Sequence, residues 1–199
     1  MAGGEQFGWL NEQWPQWMPL SYSVAVAGQP IGDHALTGSQ LYVDGYRRYP
    51  VDDIGAEIRR TVGTSIDGTI DVIPVAGIDL AGGGGLLVDA LGLCASGSFL
   101  RELAADSIVS IYLSPSRTSP RVQWFDHGQP TAVIYNQYPI DDLAGDDGPH
   151  AAVRRAGRAE FIGAAMALAH HVTGVAVTRD DFGAGQITLA RCRAPWAYP

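Results

Sequence analysis

The sequence predicts an α+β fold, an antiparallel or mixed sheet with one long helix, His150 to about Thr173, packed across one face. Three patterns predict it. Ser21–Ala27 alternates, with Tyr22, Val24 and Val26 on one side and small residues on the other, the period-2 signature of a strand. The runs Ile108–Leu113, Arg121–Phe125 and Thr131–Asn136 are apolar or β-branched, and the last two flank Asp126-His127-Gly128-Gln129-Pro130, a hairpin signal. Val153, Gly157, Phe161, Ala164, Leu168 and Val172 recur at spacings of three and four, with Arg154, Arg155 and Arg158 off the stripe and Gly174 as a stop.

The remaining elements follow in chain order. Residues 1–20 form a tryptophan-rich segment in which Pro15 and Pro19 allow only a short helical turn. Gln40–Val43 reads as a short strand. Val51–Val62 reads as a helix capped by Asp52 or Asp53, with Ile54 and Ile58 inward and Gly63 at its end. Thr69–Val75 is a strand in which Pro74 removes a ladder donor, so its end is expected at a sheet edge or a bulge. Ala81–Gly85 is a glycine turn, and Leu86–Leu91 fits either a strand or a helix start. Ser98–Ala105 reads as a helix capped by Ser96 or Ser98, with Phe99, Leu100 and Leu103 facing the core. Val175–Thr178 and Gln186–Ala190 complete the sheet. No internal repeat is visible.

A chain of 199 residues is expected to form a single domain spanning 1–199, with the 1–20 segment packed on its core. A globule of this size buries roughly 70% of its unfolded surface and needs no metal or disulfide to hold together. All thirteen basic residues are arginine. Without lysine there is no Schiff-base chemistry, no pyridoxal phosphate anchor, no P-loop lysine and no Ser-x-x-Lys acylase. The net charge of −8 argues against a nucleic-acid partner and permits a cationic one. There is no signal-peptide pattern and no run of about 18 apolar residues, so the expectation is a cytoplasmic protein with no membrane partner. Cys94 and Cys192, far apart in sequence, are expected to be buried small apolar residues.

The C-terminal half resembles a family of uncharacterised actinobacterial proteins known only as a domain of unknown function. The residues that carry this are Ile108-Val109-Ser110-Ile111-Tyr112, Val122-Gln123-Trp124-Phe125-Asp126-His127-Gly128, Pro139 with the acidic loop after it, and Ala167 to Thr178. Weaker similarity lies in Thr69–Leu91. The family tends to carry Asp-Gly or Glu-Asp-Gly at the hairpin, where this chain has Asp126-His127-Gly128. The resemblance implies a fold; it brings no activity, cofactor or catalytic residue.

Candidate chemistry is sparse. The five histidines, His34, His127, His150, His170 and His171, show no zinc-ligand spacing, and adjacent His170 and His171 point about 100° apart on a helix. No metal and no cofactor is expected. Asp126 and His127 are the candidate acid–base pair, but neighbours in a turn rarely bond as base and orienter, and no nucleophile elbow accompanies them. The turn reading is preferred, and an exposed His127 would remove the catalytic one. The glycine run at 82–85 fails both phosphate-binding patterns. Nothing in the sequence lowers the pKa of Cys94. Trp9, Trp14 and Trp17, with the loop residues Asp141, Asp142, Asp146 and Asp147, are the candidate partner-binding residues.

The functional expectation is a non-catalytic intracellular protein-binding or immunity-type domain whose acidic surface engages a basic protein. The alternative is a small-molecule-binding protein or a lysine-independent enzyme of a specialised biosynthetic pathway, with an apolar pocket lined by Trp, Tyr and Arg. A homo-oligomer is compatible with either.

Overall fold

The structure, a computed structural model, describes residues 22–30, 42–50, 72–89, 92–103, 106–113, 120–135, 148–157, 160–183 and 186–193. Its strands are β1 (Tyr22–Ala27), β2 (Tyr42–Pro50), β3 (Val72–Leu80), β4 (Gly84–Asp89), β5 (Ile108–Leu113), β6 (Arg121–Asp126), β7 (Gln129–Tyr135) and β8 (Gln186–Arg193). Its described helices are α1 (Gly97–Leu103), α2 (Pro149–Arg155), α3 (Phe161–Thr173) and the single turn α4 (Asp180–Gly183), with a 3-10 turn at Leu93–Ala95. The strands form one sheet in the order β2-β8-β3-β4-β1-β5-β6-β7, and every neighbouring pair is antiparallel.

Alternation in the strands sends side chains to two covered faces. Val24, Val26, Ile78, Leu86, Val88, Val109, Ile111 and Val122 pack against Val153 of α2 and Phe161, Ala165, Met166 and Leu168 of α3. The opposite face sets Ala25, Ala27, Ile73, Val75, Leu87, Ile108 and Phe125 under Leu93, Phe99, Leu100 and Leu103 of the 3-10 turn and α1. β1 shows the logic most clearly. Its valines face the longer helices and its alanines face the tighter layer, and Val24, Ala25 and Val26 are wholly buried. Each fully buried Val or Leu side chain contributes about 1.5–3 kcal/mol.

Several sequence expectations need correcting. The long helix at 150–173 is two helices. Ala156 turns extended after α2, and Gly157, assigned to the buried stripe, is exposed. Glycine interrupts helices because it has the most backbone freedom to lose. The Gly157 carbonyl instead accepts from the Glu160 N–H (3.0 Å), making a turn before α3. Helices thus cover both faces of the sheet rather than one. Pro74 sits at neither an edge nor a strand end: β3 runs on to Leu80 as an inner strand between β8 and β4. Among the described residues Pro74 is paired with Arg191 of β8, and the pairing with β4 is described from Val75, opposite Asp89. Leu86–Leu91 resolves as strand through Asp89. Val175–Thr178 is irregular, while β8 extends to Arg193. Gly174, in the left-handed region at φ 73°, stops α3 as expected. The expected helix at Val51–Val62 lies outside the described residues.

Candidate functional site

The sheet has two unlike ends on either side of its middle strands. At one end β3 turns into β4 through Ala81–Gly83, β1 finishes at Ala27, β5 begins at Ile108, and β6 turns into β7 at His127–Gly128. The register places these together, with Asp79 opposite Gly85, Gly85 opposite Ala27, Ala27 opposite Ile108, and Ile108 opposite Phe125. Asp79, Asp106, Asp126 and Asp180 all surface there and are exposed.

The local chain folds to hold this end rigidly. Asp181 is buried, and its carboxylate accepts from the Ala81 N–H (3.0 Å), the Thr178 N–H (2.7 Å) and the Thr178 hydroxyl (2.8 Å), pinning α4 to the β3–β4 turn. Gly84 makes the docking possible. A Cβ there would lie 2.6 Å from Val175 Cγ2 and 2.8 Å from the Ala27 carbonyl oxygen. This close approach is the use of Gly84, whereas a Cβ at Gly82 or Gly83 would meet nothing within 4 Å. Gly83, at φ 87°, completes the turn by donating its N–H to the Leu80 carbonyl (3.0 Å).

Two loops converge at the β6–β7 tip. Donor atoms of Asp106, Asp126 and His127 lie within 4.8 Å of one another. Ser107 braces both carboxylates, its N–H donating to Asp106 (2.8 Å) and its hydroxyl to Asp126 Oδ1 (3.2 Å). His127 Nδ1 lies 2.8 Å from Asp126 Oδ1, so the adjacent pair does bond, against expectation. The cause is backbone geometry. His127 at φ 47° and Gly128 at φ 74° are both left-handed, as a two-residue type I′ hairpin turn requires, and this folds the imidazole back onto its neighbour. The side chains of His127 and Asp126 are 73% and 58% exposed. A base at such a tip meets bulk water, and the neighbouring Ser107 hydroxyl donates to Asp126, so the geometry is that of a braced turn. Two carboxylates and an imidazole could together contact a cation, with the rest of its coordination left to water.

The other end is buried and polar. Asp89 of β4, wholly buried, accepts from the Ser23 hydroxyl of β1 and from the N–H groups of Gly92, Leu93 (2.9 Å) and Cys94 (2.6 Å). It thereby clips the 3-10 turn to the sheet. Ser110 donates to the Cys94 carbonyl, and Gln123 and Arg121 donate to the Ala95 carbonyl at 2.7 and 3.1 Å. The Arg121 guanidinium stands 5.0 Å over the Tyr112 ring, and its buried Nε has no partner. Cys94 and Cys192 are buried, unbridged thiols within the same apolar cluster. Burial, with the Asp89 charge adding to it, pushes both thiols up, Cys192 to about 12. Cys94 is therefore a core residue and no nucleophile at neutral pH.

Trp9, Trp14, Trp17, Asp141, Asp142, Asp146, Asp147 and His34 lie outside the described residues. His170 and His171 are exposed at the C-terminus of α3, and His150 packs its ring 5.2 Å from that of Trp124. The sequence singled out Asp126 but missed Asp79, Asp106 and Asp180. Only the strand register reveals that loops so far apart in the chain share one end. No family model, curated protein or solved structure matches this chain. Among the described residues, no helix is long and apolar enough to cross a membrane.

Proposed function

We propose that the protein is a non-catalytic intracellular binding domain of the immunity type, whose acidic sheet end engages a basic protein. The observation that carries this is the gathering of exposed Asp79, Asp106, Asp126 and Asp180 at one end of the sheet, on a chain of net charge −8. Exposed carboxylates spread along one end of the sheet attract a cationic partner and steer its approach. A braced scaffold keeps that charge pattern fixed, which lowers the ordering cost of association.

The test is capture from native lysate on the immobilised full chain, with elution by a salt gradient, alongside the triple variant Asp79→Asn, Asp106→Asn, Asp126→Asn. A basic protein released by salt and not retained by the triple variant is the expected outcome. Absence of any partner at all ionic strengths overturns the reading.

One observation favours the alternative, a small-molecule-binding protein. Arg121 lies against Tyr112 with an unpartnered Nε, the kind of side-chain pair a ligand anion would use. Loss of any small-molecule thermal shift in Arg121→Gln would mark that site as the binding one.

A further inference from the structure

Alternation puts Arg121, Gln123 and Phe125 on one face of β6, with Tyr112 opposite Arg121 and Ser110 opposite Gln123 on β5. Ser110 and Gln123 direct their donors to the Cys94 and Ala95 carbonyls. Arg121 does so only in part. Its Nη2 donates to the Ala95 carbonyl (3.1 Å), and its guanidinium stands 5.0 Å over the Tyr112 ring. Nε is left over. Among the described residues it is the buried side-chain polar atom without a partner. Among those residues no carboxylate pairs with Arg121 either. A buried donor that meets nothing is costly, more so on a charged group, and native folds leave few of them. The surroundings are otherwise built. Gly92, left-handed at φ 90°, makes room for the Tyr112 ring, whose Cε2 would lie 3.0 Å from a Cβ there. Arg121 and Tyr112 are both half-buried, so the pair borders solvent.

We infer that Arg121 receives the carboxylate of a small molecule on the guanidinium fork beside Tyr112. The inference rests on the small-molecule reading above and is independent of the acidic sheet end. The occupant follows from charge and shape. A guanidinium stays protonated and carries donors only, so what satisfies Nε is an acceptor, and what balances the group is an anion. Its planar fork matches an oxyanion through two parallel N–H···O bonds. One guanidinium brings one positive charge, which balances a carboxylate in full and a doubly charged phosphate only in part. Contact with Tyr112 and the bond to the Ala95 carbonyl hold the fork in one orientation before the ligand arrives, which lowers the ordering cost of binding. The chain as a whole, at net charge −8, repels anions, so a carboxylate that does bind is held by a particular cation and not by the general field.

The test titrates the full chain with sodium acetate and sodium benzoate, against sodium chloride and inorganic phosphate at matched ionic strength. Two signals are read: the melting temperature, and the assigned Arg121 Nε–H resonance of the isotope-labelled chain. Carboxylate is expected to raise the melting temperature saturably and to move the Nε–H resonance along the same curve. Chloride is expected to do neither, and phosphate to act more weakly than carboxylate. Arg121→Lys keeps the charge but removes Nε and the fork, and it is expected to weaken carboxylate binding about tenfold while circular dichroism stays as in the parent. The resonance is read on the parent chain, so that arm decides the matter even where the variant unfolds. An Nε–H resonance that carboxylate leaves in place, or that chloride moves equally, overturns the inference. Tighter binding of phosphate overturns the choice of carboxylate. A saturable melting rise that Arg121→Lys leaves unchanged overturns this site while the small-molecule reading itself stands.

Discussion

Asp89 and Asp126 stand at opposite ends of the same sheet and teach opposite lessons about an aspartate. Asp89 is wholly buried and accepts from one hydroxyl and three backbone N–H groups, all of its own chain. Asp126 is 58% exposed, and its side-chain partners are two neighbours on the same rim, Ser107 and His127. The first carboxylate holds the 3-10 turn onto β1 and β4. The second is held out into water. Burial with a full set of donors marks a residue that builds the fold, whereas bracing with exposure marks one whose charge is presented to something else.

The comparison is broken most severely by Asp89→Ala. Removing the carboxylate leaves several donors unsatisfied in the core, and the expected loss is roughly 3–5 kcal/mol of stability. Urea unfolding checks this, and a midpoint within experimental error of the parent would strip Asp89 of its structural role. Gly84→Ala comes next. Its Cβ meets Val175 and the Ala27 carbonyl at under 3 Å, and the expected loss is about 1–3 kcal/mol, read as a lower melting temperature.

The buried thiols sharpen the same contrast through pH. Cys192 holds its proton up to about 12 in the folded chain against a usual 9.0, because burial disfavours the thiolate. The unfolded chain therefore loses this proton first. The contribution to stability is complete below pH 9 and disappears as pH rises from 9 toward 12. Cys192→Ala should flatten that alkaline loss, as measured by melting temperature against pH. At pH 8 the native chain should consume almost no thiol reagent until denaturant is added. The smallest stability effect belongs to Asp79→Asn, Asp106→Asn, Asp126→Asn together, expected within about 0.5 kcal/mol per site of the parent because these side chains are exposed.

Local pattern made parts of this architecture legible and distance hid the rest. The β6–β7 hairpin was readable because Asp-His-Gly between alternating runs is turn chemistry, and its ends fall within a residue or two of Arg121–Asp126 and Gln129–Tyr135. Gly174 ended its helix for an equally local reason. The split between α2 and α3 was missed because Gly157 fits the spacing of a buried stripe, and period alone does not distinguish a small core residue from a break. Pro74 misled because a donor lost in a strand suggests an edge, whereas β3 lies between β8 and β4 in the sheet. The acidic end was invisible for the deeper reason that Asp79 lies near the end of β3, Asp106 just before β5, Asp126 at the end of β6 and Asp180 at the start of α4. Their nearness is a product of strand order, which no spacing along the chain encodes.

The most direct measurement sets two charge-removal variants against each other in the salt-gradient capture. One neutralises Asp79, Asp106 and Asp126 at the sheet end. The other neutralises Asp141, Asp142, Asp146 and Asp147. Loss of the basic partner with the first variant, at an unchanged melting temperature, is the predicted result. Undiminished retention by the first variant, with or without loss by the second, would contradict the assignment of binding to the acidic end of the sheet.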